Sequence, residues 1–293
     1  MQCMATDSRE DPVFHMALKA FQYGFALFSA LWLGSLGLLF GFSLQYITVS
    51  FLLDGAGIQL MPAHALVIGL ITVQGIGLPI IAYTYIKLRP LIRSKLRKYI
   101  SYPPDTGAFS IGISVPSLRE AGIVVLGYAS AMVGLVVVAV IIRALVSMFG
   151  IETASNQAAE IGMENPDVLL LLIPASFLLI GPGEELLFRG VVQGRIRDYF
   201  GPISGVTIAS VIFAGIHYPA LSGGSVTGKL VGVCGLLIPS LILGATYEYT
   251  DNIVVPSLIH GAYNATLFTG LYVTVKFSGE LSSAAGVLSS NWF

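Results

Sequence analysis

Two adjacent glutamates and an arginine stand directly after an uncharged apolar run. The run is VLLLLIPASFLLI, residues 168–180, and Glu184, Glu185 and Arg189 follow it in GPGEELLFRG. A charged side chain near the centre of a bilayer costs about 2.5 to 3.5 kcal/mol on insertion scales, so such residues mark a functional site. Glu185 and Arg189 are spaced i and i+4, which suits an ion pair within one helix. Glu184 points about 100° away from Glu185 and remains the carboxylate free to act.

A histidine in the next apolar segment matches Glu184 in depth. The letters FGP, residues 200–202, predict a reversal of the chain. Glu184 lies 16 residues before the first residue of this turn, and His217 lies 16 residues after the second. Equal arms of a helical hairpin place the carboxylate and the imidazole at the same depth. The spacing therefore predicts that they face each other as a hydrogen-bonded acid/base couple able to activate a water molecule.

A second histidine lies in the last clear apolar segment. His260 and Asn264, in IHGAYNATL, are spaced i and i+4 and share one face of a helix. Both side chains can donate hydrogen bonds toward one point, which is what stabilising an oxyanion during attack on a carbonyl requires. These residues predict a hydrolytic site when they are taken together with the two glutamates.

The composition indicates which elements must position these residues. The 293 residues are 55% hydrophobic and 11% charged, whereas a soluble domain typically carries about 25% charged residues. We therefore expect an all-α, polytopic transmembrane helical bundle of seven to eight spans. The two cysteines make a disulfide framework improbable. The expected spans cover residues 21–47, 66–86, 121–145, 168 onward, 203–217, 230–247 and 253–275, with an eighth at the C-terminus as the alternative.

The distribution of charge predicts the orientation in the membrane. A basic cluster follows the second span, and the positive-inside rule places this connection and the N-terminus in the cytoplasm of a cell-membrane protein. The connection before residue 168 is acidic, as expected of an external loop. A net charge of −1 gives no reason to expect a nucleic-acid partner. The basic residues are Lys87, Arg89, Arg93, Lys95, Arg97 and Lys98.

Four segments describe the predicted organisation of the chain. A polar N-terminal tail precedes three N-terminal transmembrane helices, which include the basic cytoplasmic loop 87–119, and a catalytic helical core and a C-terminal tail follow. The segments are residues 1–20, 21–165, 166–275 and 276–293.

Three motifs resemble those of the type II CAAX prenyl endopeptidase family, also called the CAAX protease and bacteriocin-processing (Abi, CPBP) family of intramembrane proteases. The family shows Glu-Glu-x-x-x-Arg, then Phe-x-x-x-His, then His-x-x-x-Asn. The resemblance covers about residues 166–275, and the first three spans match only as apolar helices. The motifs here read Glu184-Glu185-Leu-Leu-Phe-Arg189, Phe213-Ala-Gly-Ile-His217 and His260-Gly-Ala-Tyr-Asn264.

The resemblance implies hydrolysis of a peptide bond inside the membrane. It assigns water activation to Glu184 and His217 and the oxyanion hole to His260 and Asn264, while Phe213 packs the site. Two versions of the chemistry stay open. A divalent metal such as zinc could be held by Glu184, His217 and His260, or the glutamate could activate water without a metal. The absence of a His-Glu-x-x-His motif favours the metal-free version.

The expected partners are the lipid bilayer and a membrane-associated peptide or protein, with a CAAX-like C-terminus or another sequence. Two other functions compete with proteolysis. A proton-coupled transporter would use Glu184, Arg189 and His217 as a proton or substrate path, and it predicts an internal repeat that residues 1–150 do not show. A membrane immunity or scaffold protein without catalysis would not need all three motifs.

Overall fold

A computed structural model describes residues 12–96 and 110–284. Three parts of the predicted organisation lie outside these ranges. They are the start of the N-terminal tail (residues 1–11), the part of the basic loop that contains Arg97 and Lys98 (residues 97–109), and the end of the C-terminal tail (residues 285–293).

The described residues form an all-α bundle, as predicted. Sheet structure in this part of the chain is one antiparallel ribbon of the strands β1 (Ser155–Asn156) and β2 (Leu221–Ser222). A short 3₁₀ turn covers Tyr218–Ala220, and π-helical segments cover Phe51–Gly55, Leu70–Gly77, Ser176–Ile180 and Leu186–Gln193. The α-helices α1 to α12 are, in chain order, Pro12–Ser50, Pro62–Gly69, Leu78–Leu96, Leu118–Phe149, Gln157–Glu164, Pro166–Ala175, Gly181–Glu185, Gly194–Phe200, Pro202–Gly215, Val226–Gly235, Leu237–Thr250 and Val254–Ala284.

Consecutive helical pieces join into six helices that are long and apolar enough to cross a membrane, within the described residues. The seventh segment expected from the sequence is α12, a helix of 31 residues. It is not counted with the six because polar residues such as His260 and Asn264 lower its mean hydropathy. The chain is therefore an integral membrane protein with a helical bundle. In chain order, spans 1 to 6 are His15–Gly55, Pro62–Lys95, Leu118–Phe149, Pro166–Phe200, Pro202–Ala220 and Val226–Thr250.

The alternating spans give the bundle two distinct ends. At the end that we call the basic end, span 2 finishes, span 3 begins, and span 4 turns into span 5; Arg89 forms an ion pair there with Asp198. The other end, the loop end, holds the connections 56–61, 150–165 and 221–225. The ribbon of β1 and β2 lies at the loop end, where the backbone N–H of Ser225 also donates to the carbonyl oxygen of Glu152 (3.1 Å).

The predicted hairpin turn at residues 200–202 is present. Helix α8 ends at Phe200 and α9 begins at Pro202. Gly201 between them has φ +81°, a left-handed backbone conformation that glycine adopts without strain. Pro202 occupies the first turn of α9, where its missing N–H removes no helical hydrogen bond. Local sequence chemistry therefore fixes the point at which span 4 reverses into span 5.

Spans 1 and 2 approach each other through glycine. A Cβ atom added to Gly77 would lie 2.6 Å from the Cα of Gly41. Such close contact of two backbones is the use that membrane helices make of small residues. Span 4 packs against both helices through Leu187 and Phe188, whose side chains are fully buried. The N-terminal spans are thus in tight contact with the helix that carries the two glutamates.

We predict that Gly77→Ala lowers the thermal midpoint of the detergent-purified protein. The added methyl group overlaps the backbone of Gly41, and overpacking of this kind costs about 1 to 3 kcal/mol. Gly122→Ala is the matched control, because a Cβ at Gly122 in span 3 meets nothing within 4 Å. Alanine is the better helix former, so the control should melt at or above the wild-type temperature. Equal midpoints for the two variants would contradict the close packing of spans 1 and 2.

Candidate active site

The two glutamates lie where the hydrogen-bonding pattern of span 4 changes. Helix α7 has five residues and stands between the π-helical segments Ser176–Ile180 and Leu186–Gln193. Pro182 lacks a backbone N–H and so cannot continue the regular ladder of hydrogen bonds. Widened turns of this kind are often found at functional sites. Glu184 and Glu185 are both buried, with exposed fractions of 7% and 0%.

Glu185 is the centre of a buried ionic network. As the spacing predicted, Arg189 Nε donates to Glu185 Oε2, at 2.9 Å. The same carboxylate accepts a second hydrogen bond at Oε1 from His260 Nδ1, at 2.8 Å. Arg189 Nη2 also donates to the hydroxyl oxygen of Ser240 in span 6 (3.1 Å). The network therefore joins span 4 to α12 and to span 6, a connection that the sequence analysis did not predict.

The contact with Glu185 orients the two ring nitrogens of His260. Because Nδ1 donates to Glu185, Nε2 is turned toward the second carboxylate and lies 3.8 Å from Glu184 Oε2. In a neutral imidazole with its proton on Nδ1, Nε2 is an acceptor, whereas it donates when the ring is doubly protonated. His260 is thus held by one carboxylate and presented to the other.

Glu184 is held by a residue outside the three motifs. Gln74 Nε2, from span 2, donates to Glu184 Oε1 at 2.7 Å. The other carboxylate oxygen, Oε2, has no hydrogen-bond partner among the described residues and is the atom that lies nearest His260. Span 4 comes close enough for this contact because a Cβ at Gly183 would stand 2.1 Å from the carbonyl oxygen of Gln74. The sequence held a signal for Gln74, a lone amide in an apolar span, which the motif analysis did not use.

His217 departs from the sequence prediction. It forms no hydrogen bond with Glu184 in the described structure, so the predicted direct couple of the two side chains is wrong for this arrangement. Its Nδ1 instead donates to the carbonyl oxygen of Phe213, one turn earlier, at 2.7 Å. The reason is that α9 ends at Gly215, and the freed carbonyl groups of its last turn lie within reach of the imidazole.

Phe213 packs at the middle of the site, as expected. Its ring lies beneath the guanidinium carbon of Arg189, 4.6 Å from the ring centroid. The rings of His217 and His260 lie 4.8 Å and 5.9 Å from the same centroid. A cation over an aromatic face is favourable, particularly where water is excluded. Phe213 therefore contacts both imidazoles.

All four residues predicted to be catalytic line one cavity of about 950 Å³. The cavity is at the upper end of the size range typical of ligand sites. Asn264 lies half-buried in this wall, one turn after His260, so the shared face predicted for the pair is present. Equal depth of Glu184 and His217 is also compatible with their common cavity, although their direct contact is not formed. The cavity residues that bear on the chemistry are Gln74, Glu184, Phe213, His217, His260 and Asn264.

The predicted alternative set of metal ligands is not assembled. Among residues 12–96 and 110–284, no three His, Cys, Asp or Glu side chains are grouped so that they could hold a metal ion. His217 Nδ1 donates to Phe213 and Glu184 Oε1 accepts from Gln74, so the atoms of these two residues outside those bonds are His217 Nε2 and Glu184 Oε2. The metal alternative of Glu184, His217 and His260 stays a prediction, and no step proposed below depends on a metal.

The fold and the site define a polytopic, all-α membrane protein with a buried carboxylate and histidine centre. The model of the family described as type II CAAX prenyl endopeptidase Rce1-like matches residues 166–266. This segment contains all three motifs, so the resemblance inferred from them is confirmed there. Span 1 and span 2, the second of which contributes Gln74, lie outside the matched segment.

One curated relative is similar to a shorter part of the chain. It is YpbD of Bacillus subtilis (strain 168), described as uncharacterized, with 39% identity over 83 residues. The aligned region covers 28% of this chain and 36% of YpbD, so the chain matches only about a third of its relative's length. No solved structure matches the chain.

We predict that Glu185→Gln destabilises the protein strongly. The variant leaves the Arg189 guanidinium buried without its counter-ion, and removing one partner of a buried ion pair typically costs about 3 to 5 kcal/mol. The thermal midpoint and yield of the purified variant measure this loss. Glu184→Gln is the matched control, because Glu184 has no ion pair with Arg189 and its fold should survive. Equal midpoints for the two variants would show that the network does not stabilise the bundle.

Proposed function

We propose that this chain is an intramembrane endopeptidase that hydrolyses a peptide bond with a carboxylate-activated water. The observation that carries the proposal is the convergence of Glu184, His217, His260 and Asn264 on one cavity, with Glu184 Oε2 3.8 Å from His260 Nε2. The match of residues 166–266 to a family of prenyl endopeptidases supports the same class of reaction.

Glu184 is the general base in the proposed mechanism. A water molecule near Oε2 gives a proton to this carboxylate, and its oxygen forms a bond to the carbonyl carbon of the substrate. The proton then passes to the amide nitrogen as the C–N bond breaks. Gln74 keeps Oε1 occupied, so that Oε2 is the basic oxygen. His217, in the same cavity wall, assists in orienting the water.

His260 and Asn264 stabilise the oxyanion. Asn264 donates through its amide, which requires no change of charge. His260 donates through Nε2 when its ring is doubly protonated, and Glu185 then supplies the counter-charge at Nδ1. Preorganised donors of this kind typically contribute about 2.7 to 4 kcal/mol each to an acyl-transfer barrier. Glu185 and Arg189 act through His260, as positioning residues.

The substrate proposed is a membrane-associated peptide, including one with a CAAX-like C-terminus. The test is to incubate the purified protein with a panel of prenylated and unprenylated peptides and to detect the products by mass spectrometry. We expect Glu184→Gln to abolish cleavage while its thermal midpoint stays near that of the wild type. Parallel reactions with a stringent chelator should retain full activity, and loss of activity there would call for a metal. No difference between wild type and Glu184→Gln across the panel would reject proteolysis.

We further predict that Gln74→Met lowers the turnover number with little effect on KM. Methionine fills a similar volume but cannot donate to Glu184, and a hydrogen bond to a charged group is worth about 1.5 to 3 kcal/mol, or roughly 10- to 100-fold in rate. Gln45→Met is the matched control, since Gln45 also lines the cavity but donates to the carbonyl oxygen of Ala65 instead (2.9 Å). Equal kinetic effects of the two variants would mean that Gln74 has no special part in positioning Glu184.

A further inference from the structure

A tyrosine at an open position of the third motif lines the same cavity as the four residues predicted to be catalytic. Tyr263 is one of the three residues between His260 and Asn264 on α12, and it is 8% exposed. The pattern His-x-x-x-Asn leaves this position unspecified. The presence of Tyr263 in the cavity wall is therefore a finding of the structure and does not follow from the motif.

The hydroxyl group of Tyr263 has no hydrogen-bond partner within residues 12–96 and 110–284. Buried tyrosines usually find a partner for this group, because an unpaired hydroxyl in apolar surroundings loses the hydrogen bonds that it makes in water. A buried polar group without a partner therefore needs an explanation. Since Tyr263 lines the cavity, its hydroxyl is a donor available to a molecule bound there.

The side of the cavity that spans 3 and 6 form is apolar except for one hydroxyl. Ile259, one turn before Tyr263 on the same side of α12, lines the cavity and packs against Leu243 of span 6. Ser240 is the exception, and its hydroxyl donates to the carbonyl oxygen of Ser210 (3.3 Å). The hydroxyl proton of Ser240 is thus used within the protein, whereas that of Tyr263 is not.

Tyr263 leaves α12 in a different direction from the two residues proposed to stabilise the oxyanion. Around a helix of 3.6 residues per turn, Asn264 lies about 40° from His260, whereas Tyr263 lies about 60° from His260 on the opposite side. The hydroxyl of Tyr263 is therefore suited to a second acceptor, separate from the point toward which His260 and Asn264 both donate.

The geometry points to Tyr263 as a substrate-binding residue, whose hydroxyl donates a hydrogen bond to a backbone carbonyl oxygen next to the scissile one. An extended peptide presents a carbonyl group about every 3.3 Å along its chain, so this acceptor lies close to the oxyanion. The contact is made with the main chain, and it contributes to binding whatever the side chains of the peptide are. The identity of the ligand as a peptide rests on the proposed function, whereas the unpaired hydroxyl in the cavity does not.

Steady-state kinetics of Tyr263→Phe test this contact. Phenylalanine keeps the ring and removes only the donor. We expect KM to rise roughly 2- to 10-fold for every peptide that is cleaved, as for loss of one neutral hydrogen bond. The turnover number should not change, because the bond is made equally in the ground state and the transition state. The thermal midpoint should stay at or above that of the wild type, since no bond within the protein is lost.

Tyr272→Phe is the matched control for this experiment. Tyr272 lies on the same helix, and its ring packs against Phe277, with 6.5 Å between the ring centroids. It does not line the cavity. Removal of its hydroxyl should therefore leave both KM and the turnover number at the wild-type values.

Modified substrates identify the acceptor. Two peptides are made in which sulfur, a weaker acceptor, replaces the carbonyl oxygen on one side or the other of the scissile carbonyl. One of them should raise KM for the wild type and have no further effect on Tyr263→Phe, as expected of two partners in one hydrogen bond. Additive effects at both positions would overturn the inference. So would an unchanged KM in Tyr263→Phe, or a loss confined to its turnover number.

A binding measurement separates this inference from the proposed function. Each peptide of the panel is labelled with a fluorophore, and its affinity for the Glu184→Gln variant, with and without Tyr263→Phe, is measured by fluorescence anisotropy. Weaker binding in the presence of Tyr263→Phe, without cleavage of any peptide by the wild type, would support the contact and reject proteolysis alone. Cleavage by the wild type, combined with equal affinities of the two variants, would reject the role of Tyr263 alone.

Discussion

The buried hydrogen bonds of the Glu185 carboxylate constrain the rest of this structure. A guanidinium and a carboxylate removed from water lose several kcal/mol each in solvation, and only mutual contact with good geometry recovers that loss. Arg189 and Glu185 are both fully buried, so their pairing is obligatory in the folded state. The bond from His260 to the same carboxylate and the bond from Arg189 to Ser240 extend the requirement to α12 and span 6. Span 4, span 6 and α12 must therefore keep fixed orientations relative to each other for these groups to form their hydrogen bonds.

The N-terminal spans take part in the site because backbones come into contact. Gly183 lies against the carbonyl oxygen of Gln74, and Gly77 lies against Gly41. A larger side chain at these glycines would separate spans 1, 2 and 4, and the amide of Gln74 would no longer reach Glu184. The glycines at the helix crossings thus affect which oxygen of the Glu184 carboxylate is free. Gln74 donates to Oε1, and Oε2 faces His260. Residues 166–266 match the family of endopeptidases, and span 2, which lies outside this segment, supplies a hydrogen-bond partner of Glu184.

Sequence reasoning succeeds here where one helix or one turn decides the outcome. The i, i+4 pair of Glu185 with Arg189, the reversal at residues 200–202 and the helical class all follow from local spacing and composition. The partners of Glu184 do not, because they depend on how helices rotate against each other. The π-helical segment Leu186–Gln193 changes the direction in which side chains leave span 4 relative to a regular helix. Counting residues to the turn consequently predicted that Glu184 and His217 share one depth and contact each other. In the structure the neighbours of Glu184 are Gln74 and His260 instead.

A polar site within a bilayer needs access to water on one side and a seal on the other. Open access from both sides would provide a leak for protons and ions. The basic end of this bundle is crossed by the ion pairs of Arg89 with Asp198 and of Arg197 with Glu248, which tie span 2 to span 4 and span 4 to span 6. At its loop end, residues of β1 and of helix α5 line the cavity. Ion pairs thus join the helices at the basic end, whereas a ribbon and a short helix contribute cavity residues at the loop end.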